Sequence, residues 1–171
     1  MITETAYIAY FTSLAEKHNQ IMHGVDGRAA FFYIPIEMDL TEIDNAIRAN
    51  KSVPLMALDA LHGSFDDNQS DRHLQTVAGQ FTILDKAAVG KQESIRAVQD
   101  SCLKIGMQIL QRMKVELRSG ELMANGTRFT IHNVQYDPVG PMEVAHYGYT
   151  FRYTITCPFV LTVDNGNWLD K

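Results

Sequence analysis

The fold is decided by one stretch near the end of the chain, Tyr147-Gly148-Tyr149-Thr150-Phe151-Arg152-Tyr153-Thr154-Ile155-Thr156-Cys157-Pro158-Phe159. Seven apolar or aromatic residues occupy every second position, and the six positions between them carry three Thr, one Gly, one Arg and one Pro. Side chains of a strand point to alternate faces of its sheet, so this pattern predicts a long strand with one buried face. We therefore expect a sheet that is covered on one side.

The size and charge of the chain limit the classes of protein to which it can belong. A length of 171 residues is typical of one domain and is long enough to bury a hydrophobic core. The net charge of −5 and the dispersed basic residues disfavour a specific nucleic-acid binder, which needs a concentrated basic face to neutralise phosphates. No apolar run approaches the roughly 20 residues that span a bilayer, and the first residues carry acid rather than the basic cap of an export signal. We therefore expect that the protein has no membrane partner and that it acts in the compartment where it is made.

Hydrophobic periodicity and turn residues divide the rest of the chain into elements. Pro35 cannot donate a ladder hydrogen bond, so the strand that contains it is expected at an edge of the sheet or beside a bulge. The strands before and after the acidic loop are expected to form a β-hairpin with that loop as its tip. The predicted elements are a helix over Glu4–Met22, a strand over Phe31–Met38, a short helix over Thr41–Ala49, a strand over Val53–Leu61, an acidic loop over Gly63–Arg72, a strand over Leu74–Asp85, a helix over Gln92–Arg118, a strand over Thr127–Tyr136, a turn over Asp137–Pro141 and the strand quoted above.

This order predicts a single α+β domain, a two-layer sandwich in which two main helices pack on a mostly antiparallel sheet. The domain is expected to span residues 1–171, with a short polar tail from about Val163. Gly106 lies inside the long second main helix, where it costs roughly 1 kcal/mol relative to Ala, and we interpret it as a point where another element approaches closely.

The cysteines and histidines do not form a recognisable catalytic or metal site in the sequence. Cys102 and Cys157 both fall in apolar patterns, which indicates reduced, structural residues in a cytosolic setting. None of the six histidines has the spacing of a metal motif. His62 with the acidic residues of the following loop gives one distal metal hypothesis, but Asp also suits exposed turns. That loop lacks the glycine and final Glu of a calcium-binding loop.

Two interpretations of the aromatic positions stay open at this point. No GxSxG, phosphate-loop or GxGxxG motif occurs in the sequence. Tyr147, Tyr149, Phe151 and Tyr153 are typical of a helix-covered core, and they also suit the lining of a ligand cavity or a surface that stacks on bases. We expect no catalytic residue, cofactor or metal in this chain.

The order of elements resembles that of tail-terminator and tail-completion proteins of tailed bacteriophages. The elements that carry this resemblance are the N-terminal helix, the early strand, the hairpin over Val53–Asp85, the central helix over Gln92–Arg118 and the two C-terminal strands. The long central helix and the short helix over Thr41–Ala49 are points of departure from that family. The resemblance implies a non-enzymatic subunit that forms a ring, typically a hexamer, at the head-proximal end of a phage or prophage tail. It implies a place in the bacterial cytoplasm during assembly and then in the virion, with other tail and neck proteins as partners.

A ring of this kind needs surfaces that meet a neighbouring copy. The candidate surfaces are the edge strand from Phe31, the acidic tip and the C-terminal tail, where Trp168 suits an interface anchor or a tail folded back on its own domain. An acidic tip also suits a channel through which DNA passes without sticking, by repulsion of like charges. The interface candidates are Phe31, Tyr33, Asp66, Asp67, Asp71, Arg72 and Trp168.

The alternative is a small-molecule-binding domain or an uncharacterised enzyme with an apolar pocket between helix and sheet. Eight methionines and the aromatic ladder favour it, since ligand pockets are largely apolar with few placed polar groups. Its polar candidates are His132, Tyr136 and His146.

Overall fold

The structure is a computed structural model that describes residues 1–35, 40–49, 52–66, 73–120, 130–143, 145–159, 166 and 169. A single 3-10 turn, Val25–Gly27, lies between the first helix and the first strand. The elements are α1 (Glu4–Lys17), β1 (Phe31–Ile34), α2 (Leu40–Ala49), β2 (Leu55–Asp59), β3 (His62–Asp66), β4 (His73–Lys86), α3 (Gln92–Ser119), β5 (Thr130–Met142) and β6 (His146–Phe159).

The predicted long C-terminal strand is confirmed as β6, which lies inside the sheet. In the described part of the chain, six strands form one sheet in the order β1-β2-β4-β6-β5, with β3 pairing to β4 beyond the end of β2. β4 and β6 pair antiparallel along their whole length, from His73 opposite Phe159 to Lys86 opposite His146. β1 and β2 pair parallel, and the other pairs are antiparallel. The α+β class with a mostly antiparallel sheet is confirmed.

The two main helices cover one face of this sheet, which we call the first face. The apolar stripe of α3 is buried against Phe81 and Phe151, and the stripe of α1 joins the same core through Tyr7 and Phe11. The Phe81 and Phe151 rings stack at a centroid distance of 5.0 Å. The buried stripe of α3 consists of Cys102, Ile105, Ile109, Met113 and Leu117.

The short helix α2 lies on the opposite face, which we call the second face. Ile47 of α2 is 1% exposed and packs with Leu55 and Leu84, whose side chains point away from the main core. Phe32 of β1 is partly buried against this small cluster. Strand β2 is buried on both faces for this reason, since Met56 and Leu58 face the first core. The sequence did not predict that α2 and the main helices take opposite faces.

The first helix is shorter than the sequence predicted. It ends at Lys17, because His18 adopts an extended backbone with φ −78° and ψ 122°. Ile21 is fully buried although it lies outside the helix. Ile21 continues the apolar pattern of the sequence beyond Lys17, where the helix ends. The prediction of a helix to Met22 was therefore wrong.

The acidic loop is also shorter than predicted, since its first part is the strand β3. His62–Asp66 pair with β4 in antiparallel register from His62 opposite Ala78 to Asp66 opposite Leu74. All five residues of β3 are exposed. Its sequence therefore lacks the alternation of apolar and polar residues by which a half-buried strand is predicted. The hairpin therefore has two successive strands, β2 and β3, facing one long strand, β4. Residues 67–72 of the predicted loop lie outside the described residues.

The predicted turn at Asp137–Pro141 is wrong, because these residues are part of β5. This strand is at an edge of the sheet, where a proline can lack its ladder hydrogen bond without cost. Its register with β6 shifts between Val139 and Met142, so Gly140 and Pro141 sit in an irregular segment rather than a reversal. The chain reverses after Glu143, whose φ is 41°.

Gly106 allows the close contact that the sequence predicted. A Cβ atom at this position would lie 2.0 Å from two carbon atoms of the Phe151 ring. That ring is fully buried and stacked on Phe81, so it has no free space into which to move. The missing side chain thus sets how closely α3 approaches β6.

Replacing Gly106 with Ala is expected to lower the free energy of unfolding by about 1–2 kcal/mol, since overpacking costs up to about 3 kcal/mol and helix propensity returns about 1 kcal/mol. Urea unfolding followed by circular dichroism measures this change. Lys104→Ala, on the exposed side of the same helix, is the control and should change stability by less than about 0.5 kcal/mol. The double variant Gly106→Ala/Phe151→Leu should recover part of the lost stability. A Gly106→Ala variant as stable as the wild type would contradict the close packing of Gly106 on the Phe151 ring.

Candidate functional site

Four polar side chains form a continuous hydrogen-bonded row across the second face of the sheet. Gln80 of β4 donates through Nε2 to Oδ2 of Asp59 on β2. Arg152 of β6 donates through Nε to Oε1 of Gln80 at 3.0 Å and through Nη1 to Oδ2 of Asp137 on β5. We call Asp59, Gln80, Arg152 and Asp137 the polar row. It links four neighbouring strands through side chains alone.

The register of β4 and β6 creates this row. Gln80 lies directly opposite Arg152, and Thr82 lies opposite Thr150 two residues further along. Because alternate residues share a face, these four side chains all point to the second face. The Thr82 and Thr150 hydroxyl oxygens are 2.8 Å apart and form a buried hydrogen bond. The polar residues that the sequence shows between the apolar positions of β6 therefore have partners on β4.

Two depressions border the polar row, one on each side. A groove of about 450 Å³ includes His62, Asn133, Gln135 and Thr154 in its lining. A smaller pocket of about 270 Å³ lies toward α2 and has mainly apolar walls. Asp59 and Gln80 line both depressions, so these two side chains stand at the boundary between them.

Asp59 is the electrostatically unusual member of the polar row. Its side chain is partly withdrawn from water, and this burial raises the pKa of its carboxyl above the ordinary value of 3.8. The hydrogen bond from Gln80 and the positive charge of Arg152 oppose the rise in this pKa without cancelling it. The ionised form of Asp59 is thus less stable in the folded protein than in water.

A buried pair of tyrosine hydroxyls lies on the first face, directly across β4 from the groove. The hydroxyl oxygens of Tyr7 and Tyr153 are 2.7 Å apart, which ties α1 to β6. A Cβ atom at Gly79 would lie 2.6 Å from each of these oxygens, so only glycine leaves room for the pair. Burial raises the pKa of both tyrosines, which keeps the hydroxyls neutral. This pair has the character of a satisfied core contact.

The aromatic ladder of β6 belongs mainly to the core. Phe151 and Tyr153 are at most 2% exposed, and the interface between helices and sheet is filled by their contacts with Phe11 and Phe81. Tyr149 is half-buried and reaches the edge of the ladder beside Tyr136.

The predicted interface residues are spread over different parts of the fold. Phe31 and Tyr33 lie on β1, which is an edge strand as predicted, and both pack partly against the first core. The Tyr33 hydroxyl donates to Glu4 of α1. Asp66 is exposed at the end of β3. The remaining candidates lie outside the described residues, and they are Asp67, Asp71, Arg72 and Trp168.

Both cysteines are buried, as their apolar sequence patterns predicted. Neither Cys102 nor Cys157 forms a disulfide. Burial, with a further contribution from Asp85, raises the pKa of the Cys102 thiol to about 12, and burial also raises the pKa of Cys157. Thiols of this kind hold little nucleophilic thiolate at neutral pH.

The polar candidates of the pocket hypothesis do not converge. His132 and Tyr136 lie on β5, and His146 is buried at the start of β6 with Nδ1 3.7 Å from Glu143. His62, the centre of the metal hypothesis, lines the groove beside the polar row. Among the described residues, no three His, Cys, Asp or Glu side chains come together in a way that would hold a metal ion.

Comparison of the sequence with models of known protein families gives no match, and comparison with curated proteins gives none either. No helix within the described ranges combines the length and apolar character needed to cross a membrane.

Sequence reasoning missed the polar row, which is the most organised polar feature of the structure. The usable signal was Arg152, the one charged residue in an otherwise uncharged strand. Its partners are 15 and 72 residues away in sequence, and only the strand register brings them together.

Replacing Asp59 with Asn is expected to increase the free energy of unfolding at pH 7. Asn keeps an acceptor for Gln80 and removes a charge that the folded state disfavours. Because the folded pKa of Asp59 is raised, the wild type loses relative stability as pH rises from 3.8 through the folded pKa. The advantage of the variant should therefore be largest at neutral pH and disappear in acid.

Urea unfolding of both proteins between mildly acidic and neutral pH tests this dependence. Asp100→Asn, on the exposed surface of α3, is a matched control in which the same chemical change should leave stability nearly constant. An Asp59→Asn variant less stable than the wild type at pH 7 would show that the attraction of Arg152 outweighs the cost of burial.

Native Cys102 is expected to react with iodoacetamide about a hundredfold or more slowly than the same thiol in the unfolded chain, since its burial keeps it protonated. Mass spectrometry of the labelled peptides at pH 8, with and without urea, measures the ratio for each cysteine. Rapid labelling of Cys102 in the native protein would contradict its structural role.

Proposed function

We propose that this chain is a non-enzymatic structural subunit of a bacteriophage or prophage tail, of tail-terminator type, that assembles as a ring. The resemblance in element order motivates the proposal. The observation that carries it is the strand order, which in the described part of the chain places two unlike edge strands, β1 and β5, at opposite ends of one sheet. A ring needs a contact between two different surfaces of the same subunit, and these edges supply such a pair.

The two edges differ in length and chemistry. β1 has 4 residues and β5 has 13, so β5 offers the longer template for a neighbouring copy. Val134 and Tyr136 of β5 are 41% and 52% exposed, so this edge strand offers apolar side chains to a neighbouring copy. The bulges and Pro138 of this strand limit indiscriminate pairing along the edge. These features suit a contact restricted to one partner.

In this proposal the subunit acts first in the bacterial cytoplasm and then in the virion, with tail and neck proteins as neighbours. The net charge of −5 fits a ring through which DNA passes without being bound. The exposed Asp66 at the end of β3 contributes to that charge.

A small-molecule-binding role is the second candidate, and the two depressions beside the polar row favour it. They place polar groups next to apolar walls, as ligand sites do. Both lie on the second face, and the smaller one has Ile47 of α2 in its wall, so it lies between a helix and the sheet.

The assembly proposal predicts that Val134→Lys on β5 weakens a ring that the wild type forms. Light scattering after size exclusion, over a wide range of protein concentrations, measures the mass, and negative-stain electron microscopy shows whether the particles are closed rings. The matched control is Val115→Lys, where the same change is made at a valine that is 66% exposed on the helix α3 instead of on an edge strand.

The expected result is a concentration-dependent oligomer that the β5 variant reduces and the α3 variant preserves. Circular dichroism verifies that both variants are folded. A wild-type protein that stays monomeric at every concentration, alone and with purified tail tubes, would overturn the proposal.

A further inference from the structure

The smaller pocket beside the polar row combines apolar walls with one incompletely neutralised carboxylate. Its walls include Phe32 and Ile34 of β1, Ile47 of α2, and Leu84 of β4, and Asp59 stands at its boundary with the larger groove. Its volume of about 270 Å³ lies below the range of about 300–1,000 Å³ that suits drug-sized ligands. The pocket therefore fits a ligand of few atoms or a single side chain.

Among the described residues, Asp59 is the carboxylate of the polar row that has no direct ion pair. Arg152 donates to Gln80 and forms its ion pair with Asp137. Within the described part of the chain, the hydrogen bond recorded for the Asp59 carboxylate comes from the neutral amide of Gln80. The negative charge of Asp59 is thus held in a partly desolvated position without a touching cation, which is an unfavourable arrangement that a bound cation would relieve.

We propose that this pocket binds a primary ammonium group carried on a short alkyl stem. The ammonium N–H groups donate to Asp59 and to the oxygen of Gln80, and the stem lies against Phe32, Ile47 and Leu84. The Thr82–Thr150 hydroxyl pair, which also lines the pocket, adds polar oxygen atoms without adding charge.

The chemistry of the pocket selects an ammonium group over other ions. A guanidinium ion prefers both oxygens of a carboxylate, and Oδ2 of Asp59 already accepts from Gln80. An anion would be repelled by Asp59 and would find Arg152 already paired with Asp137. A neutral alkyl ligand would leave the charge of Asp59 without a counter-ion.

The ammonium group has two natural sources, a free small amine and the side chain of a lysine in another protein. Both present the same tetrahedral cation on an alkyl stem. The inference stands on the pocket alone, so it holds or fails independently of ring assembly.

Titration with n-butylammonium at neutral pH, followed by amide chemical shifts in two-dimensional NMR spectra, tests the proposal. We expect saturable shifts of the amides around the pocket, and weaker binding of the uncharged analogue 1-butanol. Asp59→Asn should weaken n-butylammonium binding by at least about tenfold, or about 1.4 kcal/mol. Arg152→Gln should strengthen binding, because it removes the neighbouring positive charge.

Asp100→Asn on α3 is the control for loss of a carboxylate elsewhere and should leave the dissociation constant within about twofold. Urea unfolding verifies that each variant is folded. Absence of saturable shifts, equal binding of 1-butanol, or undiminished binding by Asp59→Asn would overturn the proposal.

A parallel titration with Nα-acetyl-lysine methylamide distinguishes the two sources. Binding as tight as that of n-butylammonium supports a lysine side chain as the ligand. Binding of n-butylammonium alone supports a free amine, since the lysine backbone would then be excluded by the pocket.

Discussion

The full-length pairing of β4 with β6 is the constraint on which the core and the polar row both depend. It places Phe81 opposite Phe151 on the first face and Gln80 opposite Arg152 on the second. Because side chains alternate, a slip of one residue in this register would turn the aromatic residues toward water and the polar row toward the helices. The burial of the aromatic face therefore fixes the position of every polar side chain on the other face.

Close contact between elements depends on residues that have no side chain. Among the glycines that the structure describes, Gly148 of β6 has the tightest contact, since a Cβ atom there would lie 1.8 Å from the carbonyl oxygen of Ile83 on β4. Gly79 makes room for the tyrosine pair, and Gly106 makes room for the Phe151 ring. Gly79 and Gly106 thus shape the first-face core, whereas Gly148 sets the contact between β4 and β6.

The sequence predicted the helices and strands whose apolar residues recur at a regular spacing within one segment. The alternation of β6 and the three- and four-residue steps of α3 identified both elements to within one residue at each end. The predictions were wrong where the burial of residues did not match the limits or the periodicity of the element. Ile21 is buried beyond the end of α1, β3 is exposed on both faces, and prolines occur within the edge strand β5.

The polar row lay beyond such reasoning because it depends on which strands become neighbours. Asp59 is an ordinary aspartate in the sequence, and only the position of β2 beside β4 brings it to Gln80. The same holds for α2, since its apolar residues do not indicate which face of the sheet they will cover. Periodicity within a segment identifies a surface, whereas the partner of that surface is set by topology.

The contact between Tyr7 and Tyr153 joins residues that are 146 positions apart in the chain. During synthesis, α1 leaves the ribosome long before β6 exists, so one of its packing partners is missing while most of the described chain is made. A helix of 14 residues is only marginally stable in isolation in water. Its apolar stripe consequently remains without its final packing until β6 has emerged, and the nascent chain is more exposed to aggregation and to chaperones before that point.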